Sequence, residues 1–347
     1  MSRPDLLVVG AGPAGLSTAL LAARAGLGVT VRDPRAGTLD KACGEGLMPG
    51  ALSRLQHLGV DPPGHALAGI RYLSVRSGGE PCVAEASFRA GPGRGVRRTV
   101  LQSALEAACS DAGVDVQRVA VRDVRPGSDS VVVDGDDFGY VIAADGLHSP
   151  VRRTLGLEAR PGPLRRWGQR RHFAVRPWTA FVEVHWSPRA EAYVTPVGPG
   201  LVGVAILSRE RRAYEEHLSD FPELRDRVAG ASAGPVLGAG SLRQRTRART
   251  AGRVLLVGDA AGYVDALTGE GIALAITQAE SAVAAVREGD PGRYEREWPS
   301  LTRRYRWLTL GLVQATRQPR VRSALVPLAR RLPTVFDAAV DAMARPA

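Results

Sequence analysis

Leu6-Leu7-Val8-Val9-Gly10-Ala11-Gly12-Pro13-Ala14-Gly15-Leu16 sets an apolar run against a glycine-rich turn and the start of a helix. Helical composition continues to Ala25, where Gly26 and Gly28 break it, and Val29 to Val31 is β-branched. The segment therefore reads as strand, turn, helix and strand, a βαβ unit. Gly10, Gly12 and Gly15, spaced around Pro13 and Ala14, form G-x-G-x-x-G at the strand-to-helix turn. Gly10 permits the tight bend, Gly12 lets a pyrophosphate approach the backbone, and Gly15 lets the helix pack on the strand. The helix start offers free N–H groups to phosphate oxygens. Asp33, just past the second strand, is placed to accept hydrogen bonds from an adenosine ribose. The fingerprint predicts a dinucleotide site without separating NAD from FAD.

Outward from that unit, helices are expected over Gly50–Leu58 and Thr99–Ala112. Strand-like alternation runs from Ile70 to Phe88 about a Gly78–Gly79 turn. Short strands are expected at Val114–Val116, Val119–Val124, Val131–Val133 and Tyr140–Ala143. From Ala174 to Leu207 the runs Ala180–Trp186, Glu191–Val194 and Leu201–Leu207 follow one another with no helix between them, the pattern of a meander. Arg253–Val257 returns to a buried strand, a helix spans Gly271–Arg287, and the chain beyond Pro291 is helical, broken at Pro319, Pro327 and Pro333.

The 347 residues suffice for two lobes with separate cores, and 44% hydrophobic with 23% charged residues is ordinary for a globular enzyme. No run approaches the roughly 18 apolar residues of a membrane span. The apolar N-terminus has no basic leader and cleavage site, so a cytoplasmic protein is expected. Cys43, Cys82 and Cys109 are too few and too scattered for a disulfide framework or a zinc site, and no metal is expected. The net charge of +11 comes almost wholly from arginine, with Lys41 the single lysine. The arginines are dispersed, without an aromatic-studded basic run, which argues against nucleic-acid binding.

Two further glycine motifs follow predicted strands. One is Ala144-Asp145-Gly146 with Ser149, Arg152 and Arg153; the other is Gly258-Asp259-Ala260-Ala261-Gly262, followed by Thr268-Gly269-Glu270-Gly271-Ile272. In order and spacing they resemble the p-hydroxybenzoate hydroxylase-type flavoproteins, a group that includes class A monooxygenases, flavin-dependent halogenases and geranylgeranyl reductases. The resemblance covers roughly residues 5–285. It implies FAD as cofactor and an α/β fold: a Rossmann-type FAD-binding lobe (GR2-like), an inserted antiparallel β-sheet substrate lobe, and C-terminal helices. The expected divisions are 1–73, 98–164 and 241–290 for the FAD lobe, 74–97 and 165–240 for the substrate sheet, and 291–347 for the helical tail.

The resemblance also assigns roles. Asp259 would hydrogen-bond the ribityl chain, and Gly269, Gly271 and Ile272 would turn backbone N–H groups toward the flavin ring. Asp145 and Gly146 match a motif linked to both FAD and NAD(P)H, and Arg98 matches an arginine near the cofactor. Lys41-Ala42-Cys43-Gly44-Glu45-Gly46 resembles the cysteine-glycine loop of geranylgeranyl reductases, whose small residues let backbone close on the flavin. Through Gly44, Glu45 and Pro49 it also resembles a halogenase loop. Halogenation is disfavoured, because no lysine lies beyond Lys41 and no Trp-x-Trp motif is present.

Two chemistries remain. The first expectation is a monooxygenase that uses NAD(P)H and O2 on a small, largely apolar aromatic or isoprenoid-like metabolite, in secondary metabolism. It rests on Tyr193-Val194-Thr195-Pro196, where the reductases show Trp-x-Phe-Pro, and on Gly44-Glu45-Gly46 in place of a purely glycine-alanine loop. The alternative is a reductase or dehydrogenase of carbon–carbon double bonds, and the third reading is a non-catalytic flavin-binding protein. Tyr193 and Pro196 are expected to face the flavin. His185 would be a general base if its side of the strand faces the pocket. A flavin reductase partner and a peripheral membrane contact through the arginine-rich, apolar tail are further expectations.

Overall fold

The computed structural model describes residues 5–38, 40–74, 81–160 and 162–345; the expected Gly78–Gly79 turn lies outside them. Among the described residues, nineteen strands and ten α-helices fall into two lobes.

The first lobe is built on a six-stranded sheet of β1 (Leu6–Val9), β2 (Val29–Arg32), β8 (Asp115–Gln117), β12 (Tyr140–Ala143), β18 (Thr250–Ala251) and β19 (Val254–Leu256). Its order is β18-β19-β12-β1-β2-β8, with all neighbours parallel except β18 and β19. Leu6, Leu7, Val8, Val141, Ile142, Val254 and Leu255 are fully buried, as expected for parallel strands covered on both faces. The helices α1 (Pro13–Arg24), α2 (Pro49–His57), α3 (Arg98–Asp111), α4 (Pro150–Thr154) and α7 (Gly271–Arg287) accompany this sheet. A three-stranded flap of β9 (Val124–Pro126), β10 (Val131–Val133) and β11 (Asp136–Phe138) adjoins it. The strand expected over Val119–Val124 begins only at Val124, because the Asp134 carboxylate accepts hydrogen bonds from the Arg122 and Asp123 N–H groups and bends the chain there.

The second lobe carries a seven-stranded sheet ordered β17-β13-β16-β15-β14-β5-β6. Its members are β5 (Gly69–Ser74), β6 (Cys82–Ser87), β13 (Trp167–Phe173), β14 (Phe181–Trp186), β15 (Ala190–Gly198), β16 (Leu201–Ser208) and β17 (Leu237–Gly240). All pairs are antiparallel except β14 with β5, which run parallel because the connection between them passes through the first lobe. The sequence reading placed this sheet within 74–97 and 165–240 but read no strand between 165 and 179, and so missed β13, whose Arg170, Arg171 and His172 disguise a buried strand. It also missed α5 (Tyr214–Leu218) and α6 (Pro222–Val228), which seal one face of the sheet through Tyr214, Leu218, Phe221 and Leu224.

The opposite face looks toward the first lobe and the tail helices α8 (Pro291–Ala315), α9 (Pro319–Arg331) and α10 (Pro333–Ala344). Val313, Val326, Phe336 and Val340 from these helices pack with Tyr72, Val182, Val184 and Trp186 of the sheet. Pro319 and Pro333 open helices, where their missing N–H is no loss, but Pro327 sits inside α9 without ending it. A small sheet of β3 (Gly46–Leu47), β4 (His65–Leu67) and β7 (Gly93–Gly95) stitches the two lobes together.

Candidate active site

The glycine fingerprint folds as its spacing predicts. Gly10 has φ +101°, and a Cβ there would lie 2.7 Å from the Ala144 carbonyl oxygen. At Gly15 a Cβ would lie 1.8 Å from the Gly10 carbonyl oxygen, so that position is closed to any side chain. Gly12 is different: a Cβ would meet only an Arg98 nitrogen, at 3.8 Å. Open space thus lies above Gly12, and Gly12 caps α1 with no side chain, leaving the first-turn N–H groups free. Gln102 fixes the turn from outside by donating to the Ala11 carbonyl at 2.6 Å. Gln102 lies one helical turn after Arg98 on α3, a spacing that was readable in the sequence and passed over.

Charges ring this opening. Asp33 is buried and accepts from the Ala11 N–H at 2.7 Å and from Arg35 Nε at 2.7 Å. Burial acts to raise its pKa, but the Arg35 and Ala11 hydrogen bonds outweigh it and hold the carboxyl below its usual range. The ribose expected on Asp33 therefore competes with Arg35, whose half-exposed side chain can swing away. Lys41 reaches across so that its Nζ lies 3.5 Å from where a Gly146 Cβ would be. Desolvation and the neighbouring Arg35 lower its pKa, with Asp259 opposing. Asp259 in turn is raised by burial and pulled back by Lys41, Arg98 and Arg152. One Arg98 nitrogen and Asp145 Oδ1 are buried without a hydrogen-bond partner. Asp145 Oδ2 accepts from the Val151 N–H at 3.1 Å, at the head of α4.

Opposite the fingerprint, Gly258 (φ +61°) brings its turn onto the first residues of α1, where a Cβ would lie 2.9 Å from Ala14. Its N–H donates to Gln278 at 2.8 Å. Gly269 (φ +70°) bends the chain just before α7, whose N-terminal residues Gly271 and Ile272 carry no side-chain cap. The three separated glycine motifs thus converge on one cleft.

The Cys43–Gly46 loop closes that cleft toward the large sheet. Thr195 donates to the Gly44 carbonyl at 2.8 Å, and Gly46 packs on Val182 and Thr195. Glu45 is buried and takes a left-handed backbone, φ +59°, rare for a residue with a side chain. Its carboxylate accepts from the Arg98 N–H at 2.9 Å and from His172 Nε2 at 2.7 Å. Arg170 donates to His172 Nδ1 at 2.9 Å, which leaves Nε2 as the proton-bearing nitrogen facing Glu45. Arg170 also pairs with Asp40. Glu45 was expected at the cofactor; Arg170, His172 and Asp40 were not foreseen, because their partnership crosses more than a hundred residues of sequence. Cys43 is held as a thiol, its pKa raised first by burial and then by Glu45.

Register sorts the remaining candidates. Val184 pairs with Tyr193, and His185 with Ala192, so neighbours alternate between the two faces. Tyr193 and Thr195 face the cleft and the tail helices; the Tyr193 hydroxyl donates to the Leu267 carbonyl at 3.2 Å. His185 lies on the other face, buried beside Glu183 at 3.2 Å, with Leu224 and Phe221 of the α5–α6 cover near it. The condition for a catalytic His185 is not met, since the sheet stands between it and the cleft. Glu183 and His185 are also not solvated: Arg71 and Trp178 complete their buried cluster. Pro196 follows Thr195 on the side away from the cleft, and its carbonyl abuts Gly95, where a Cβ would lie 1.7 Å away.

Asp265, between the Gly258 and Gly269 turns, was not foreseen either. It is 3% exposed, 3.5 Å from Arg166, and its Oδ1 has no hydrogen-bond donor. Burial, opposed by Arg166 and reinforced by Glu191, pushes its pKa up to about 6. A raised pKa means that the folded state holds this proton more tightly than the unfolded chain. The stability this contributes is present below about pH 4 and lost as pH rises through 6. Between pH 4 and 7, wild type should lose on the order of 1–3 kcal/mol relative to Asp265→Asn. Parallel denaturant curves that do not diverge over that range would contradict the assignment.

The cleft fits FAD on its own features: open space over Gly12, free helix N–H groups, the cations Arg35, Lys41 and Arg98 nearby, and an unpartnered Arg98 nitrogen. The comparisons agree. A family model described as FAD binding domain matches residues 3–222. The menaquinone reductase of Mycolicibacterium smegmatis is 31% identical, over 99% of this chain and 91% of that protein. Digeranylgeranylglycerophospholipid reductase 1 of Methanothermobacter thermautotrophicus is 30% identical, over 85% of this chain and 82% of that protein. Among solved structures, the flavin-dependent halogenase CmlS superposes with a TM-score of 0.79 at 21% identity, covering 97% of this chain and 72% of that one. At that identity the likeness carries the fold alone.

Proposed function

This chain belongs to the FAD binding domain family and is an FAD-dependent oxidoreductase, and we propose that it reduces carbon–carbon double bonds in an isoprenoid-like, largely apolar lipid. The carrying observation is the closure of the Gly44–Gly46 loop onto an apolar sheet face through the Thr195–Gly44 hydrogen bond. That contact joins the cofactor cleft to a surface of Val182, Val184, Tyr72 and Trp186. Relatives matched along most of their length and named as reductases of a quinone and of an isoprenoid phospholipid support the same reading.

FAD, when bound, supplies two-electron chemistry, with NAD(P)H as the proposed source of electrons. The chain supplies the rest. Gly10, Gly12, Pro13, Ala14 and Gly15 with Arg98 and Lys41 would hold the phosphates, Asp33 the ribose, and Asp259 the ribityl chain. Asp145 and Gly146 would border the cofactor, and Gly269, Gly271 and Ile272 would turn N–H groups to the ring. The apolar face excludes water and aligns the alkene. Tyr193, its pKa raised well above 10 by burial and the nearby Glu191, keeps its hydroxyl proton and holds it at the cleft wall.

The monooxygenase reading uses the same cleft and keeps its two sequence arguments, the Tyr193-to-Pro196 segment and the glutamate in Gly44-Glu45-Gly46. The two differ in what reoxidises the flavin. Holoprotein reduced anaerobically with NAD(P)H and mixed with a polyprenyl alkene or menaquinone should regain its yellow colour without oxygen. Reoxidation only after admitting O2, with an oxygenated product, would replace the reductase by the monooxygenase.

No helix among the described residues is long and apolar enough to cross a membrane. The tail instead offers a surface. Val321, Leu328, Leu332 and Val335 are exposed apolar residues on α9, α10 and their junction. Nine arginines against two acids lie between residues 303 and 345. We infer peripheral contact with anionic lipid, which would present an apolar substrate to the sheet. The protein should co-sediment with vesicles containing phosphatidylglycerol at low salt, and Leu328→Glu with Val335→Glu should lower the bound fraction severalfold. Equal binding by the variant would remove this surface.

A further inference from the structure

Between β17 and β18 the chain reads Ser241-Leu242-Arg243-Gln244-Arg245-Thr246-Arg247-Ala248-Arg249, with an arginine at every second position. The segment is extended and bridges antiparallel from Gln244 to Tyr263 and from Thr246 to Glu158. Leu242, Gln244 and Thr246 point inward. Leu242 is buried, Gln244 accepts from Arg152 at 3.2 Å, and the Thr246 hydroxyl donates to the Ala261 carbonyl at 2.9 Å. Alternation turns the arginines to the outside, roughly 7 Å apart along the row. Arg245 and Arg247 are exposed.

Acids answer only the last of these charges, where Glu295 pairs with Arg249 at 3.1 Å. Among the described residues Arg243, Arg245 and Arg247 have no carboxylate at ion-pair distance, and neither has Arg306 of α8, which joins them. The buried Trp298 ring holds Arg306 there, carrying it at 5.0 Å and Arg249 at 3.9 Å. Burial and then Arg249, Arg243 and Arg245 lower the Arg306 pKa, and burial and then Arg245 lower that of Arg243, so these groups stand close enough to repel one another. Uncompensated cations on one face carry a self-repulsion that a docked anionic surface relieves. Trp307, beside Arg306 on α8, is 76% exposed. Tryptophan and arginine are the side chains that most often anchor protein interfaces.

The row backs directly onto the cofactor cleft. Arg152, beneath Gln244, donates to the Ala260 carbonyl at 3.0 Å, and a Cβ at Gly262 would lie 3.6 Å from the Gln244 carbonyl oxygen. Tyr263 exchanges both backbone hydrogen bonds with Gln244, at 2.9 and 3.1 Å, and its ring lies 3.9 Å from where a Gly271 Cβ would be, at the start of α7. One strand therefore separates the arginines from the Gly258–Gly262 turn. A hydride donor must bring its reacting atoms within about 3–3.5 Å of the flavin and could not act through that strand. Electron transfer needs no such contact. The row also carries no aromatic between its cations on which a nucleic-acid base could stack.

We propose that Arg243, Arg245, Arg247 and Arg306 dock a small acidic electron-carrier protein, which passes electrons to FAD across the Gln244–Tyr263 strand pair. This gives electrons a second entry besides NAD(P)H. Two one-electron carriers are oxidised in turn, and bound FAD gains their two electrons with two protons from solvent. Docking depends on the FAD cleft and not on the lipid reading of the substrate.

Reduced flavodoxin, an acidic carrier, is the probe. Mixed anaerobically with FAD-loaded protein, it should bleach the flavin at a rate that falls at least tenfold between low salt and about 0.3 M NaCl. Arg243→Glu with Arg245→Glu should slow that step at least tenfold at low salt, and Arg306→Glu about threefold. Reduced methyl viologen, a small cation with no docking requirement, should be slowed by neither. Flavin content and thermal melts should match wild type; should the double variant not fold, Arg245→Glu alone, at an exposed position, should still slow flavodoxin about threefold. Flavodoxin that fails to reduce the protein, or does so regardless of salt and of the variants, overturns the docking site. So does intact flavodoxin reduction in variants that have lost binding to a DNA duplex or to phosphatidylglycerol vesicles, which would make the row a nucleic-acid or lipid surface. The mixture holds neither alkene nor oxygen, so failure of the reductase reading would show separately, in the anaerobic reoxidation described above.

Discussion

Gly15→Ala is expected to yield no stably folded, yellow protein, whereas Gly12→Ala should fold and fail to hold FAD. The two glycines stand three residues apart in one turn, yet their surroundings differ completely. A methyl group at Gly15 would sit 1.8 Å from the Gly10 carbonyl oxygen and 3.4 Å from the Ala144 Cβ. Neither can yield, since one is backbone and the other belongs to the buried junction of β1 and β12. Separating α1 from β1 to admit it would cost about 3–5 kcal/mol, a large part of the stability of such a lobe. At Gly12 the methyl group meets only the end of the Arg98 side chain, at 3.8 Å. The apo fold should tolerate it within about 1 kcal/mol. It would, however, stand in the space where a pyrophosphate approaches, and FAD affinity should fall at least a hundredfold. Thermal melts with flavin fluorescence separate the two outcomes. A Gly15→Ala protein that is yellow and melts like wild type would show that the turn is not held as described.

The second large effect is expected at Glu45. Glu45→Ala should destabilise the protein by about 3–5 kcal/mol, because it strips a buried cluster of its carboxylate and leaves Arg170 and His172 facing a void. The Arg98 N–H would lose its acceptor as well. Glu45→Gln keeps an oxygen for that N–H and should cost less, about 1–2 kcal/mol. Both variants should slow turnover, since Glu45 and His172 tie the flavin loop to the substrate sheet. The Gln variant isolates that loss from unfolding. Equal stability of Glu45→Ala and wild type in urea would mean that the cluster is not a fastening.

The sequence made the first lobe legible because local chemistry forces it. Gly10 and Gly15 cannot take a side chain where they stand, and Leu6–Val9 has no reading other than a buried strand. Gly258 and Gly269 were legible for the same reason, each having a positive φ that glycine alone adopts freely. Glu45 was legible as a site residue only through its neighbours Gly44 and Gly46. Its partner His172 was not, since that contact depends on how β13 enters the large sheet. β13 itself was masked by Arg170 and His172, polar residues that are buried only because each finds a partner in the other lobe. For His185 the alternation was visible but the choice of face stayed open, because which face met the cleft depended on α5 and α6, short helices without a strong apolar period.

The account stands on the convergence of three glycine turns around one FAD. Titrating the purified, flavin-stripped protein with FAD and following the quenching of its fluorescence tests this directly. The predicted result is saturation near one FAD per chain, with binding abolished by Gly12→Ala and weakened at least tenfold by Arg98→Ala. A folded protein that is colourless as purified and leaves added FAD free in solution would contradict it.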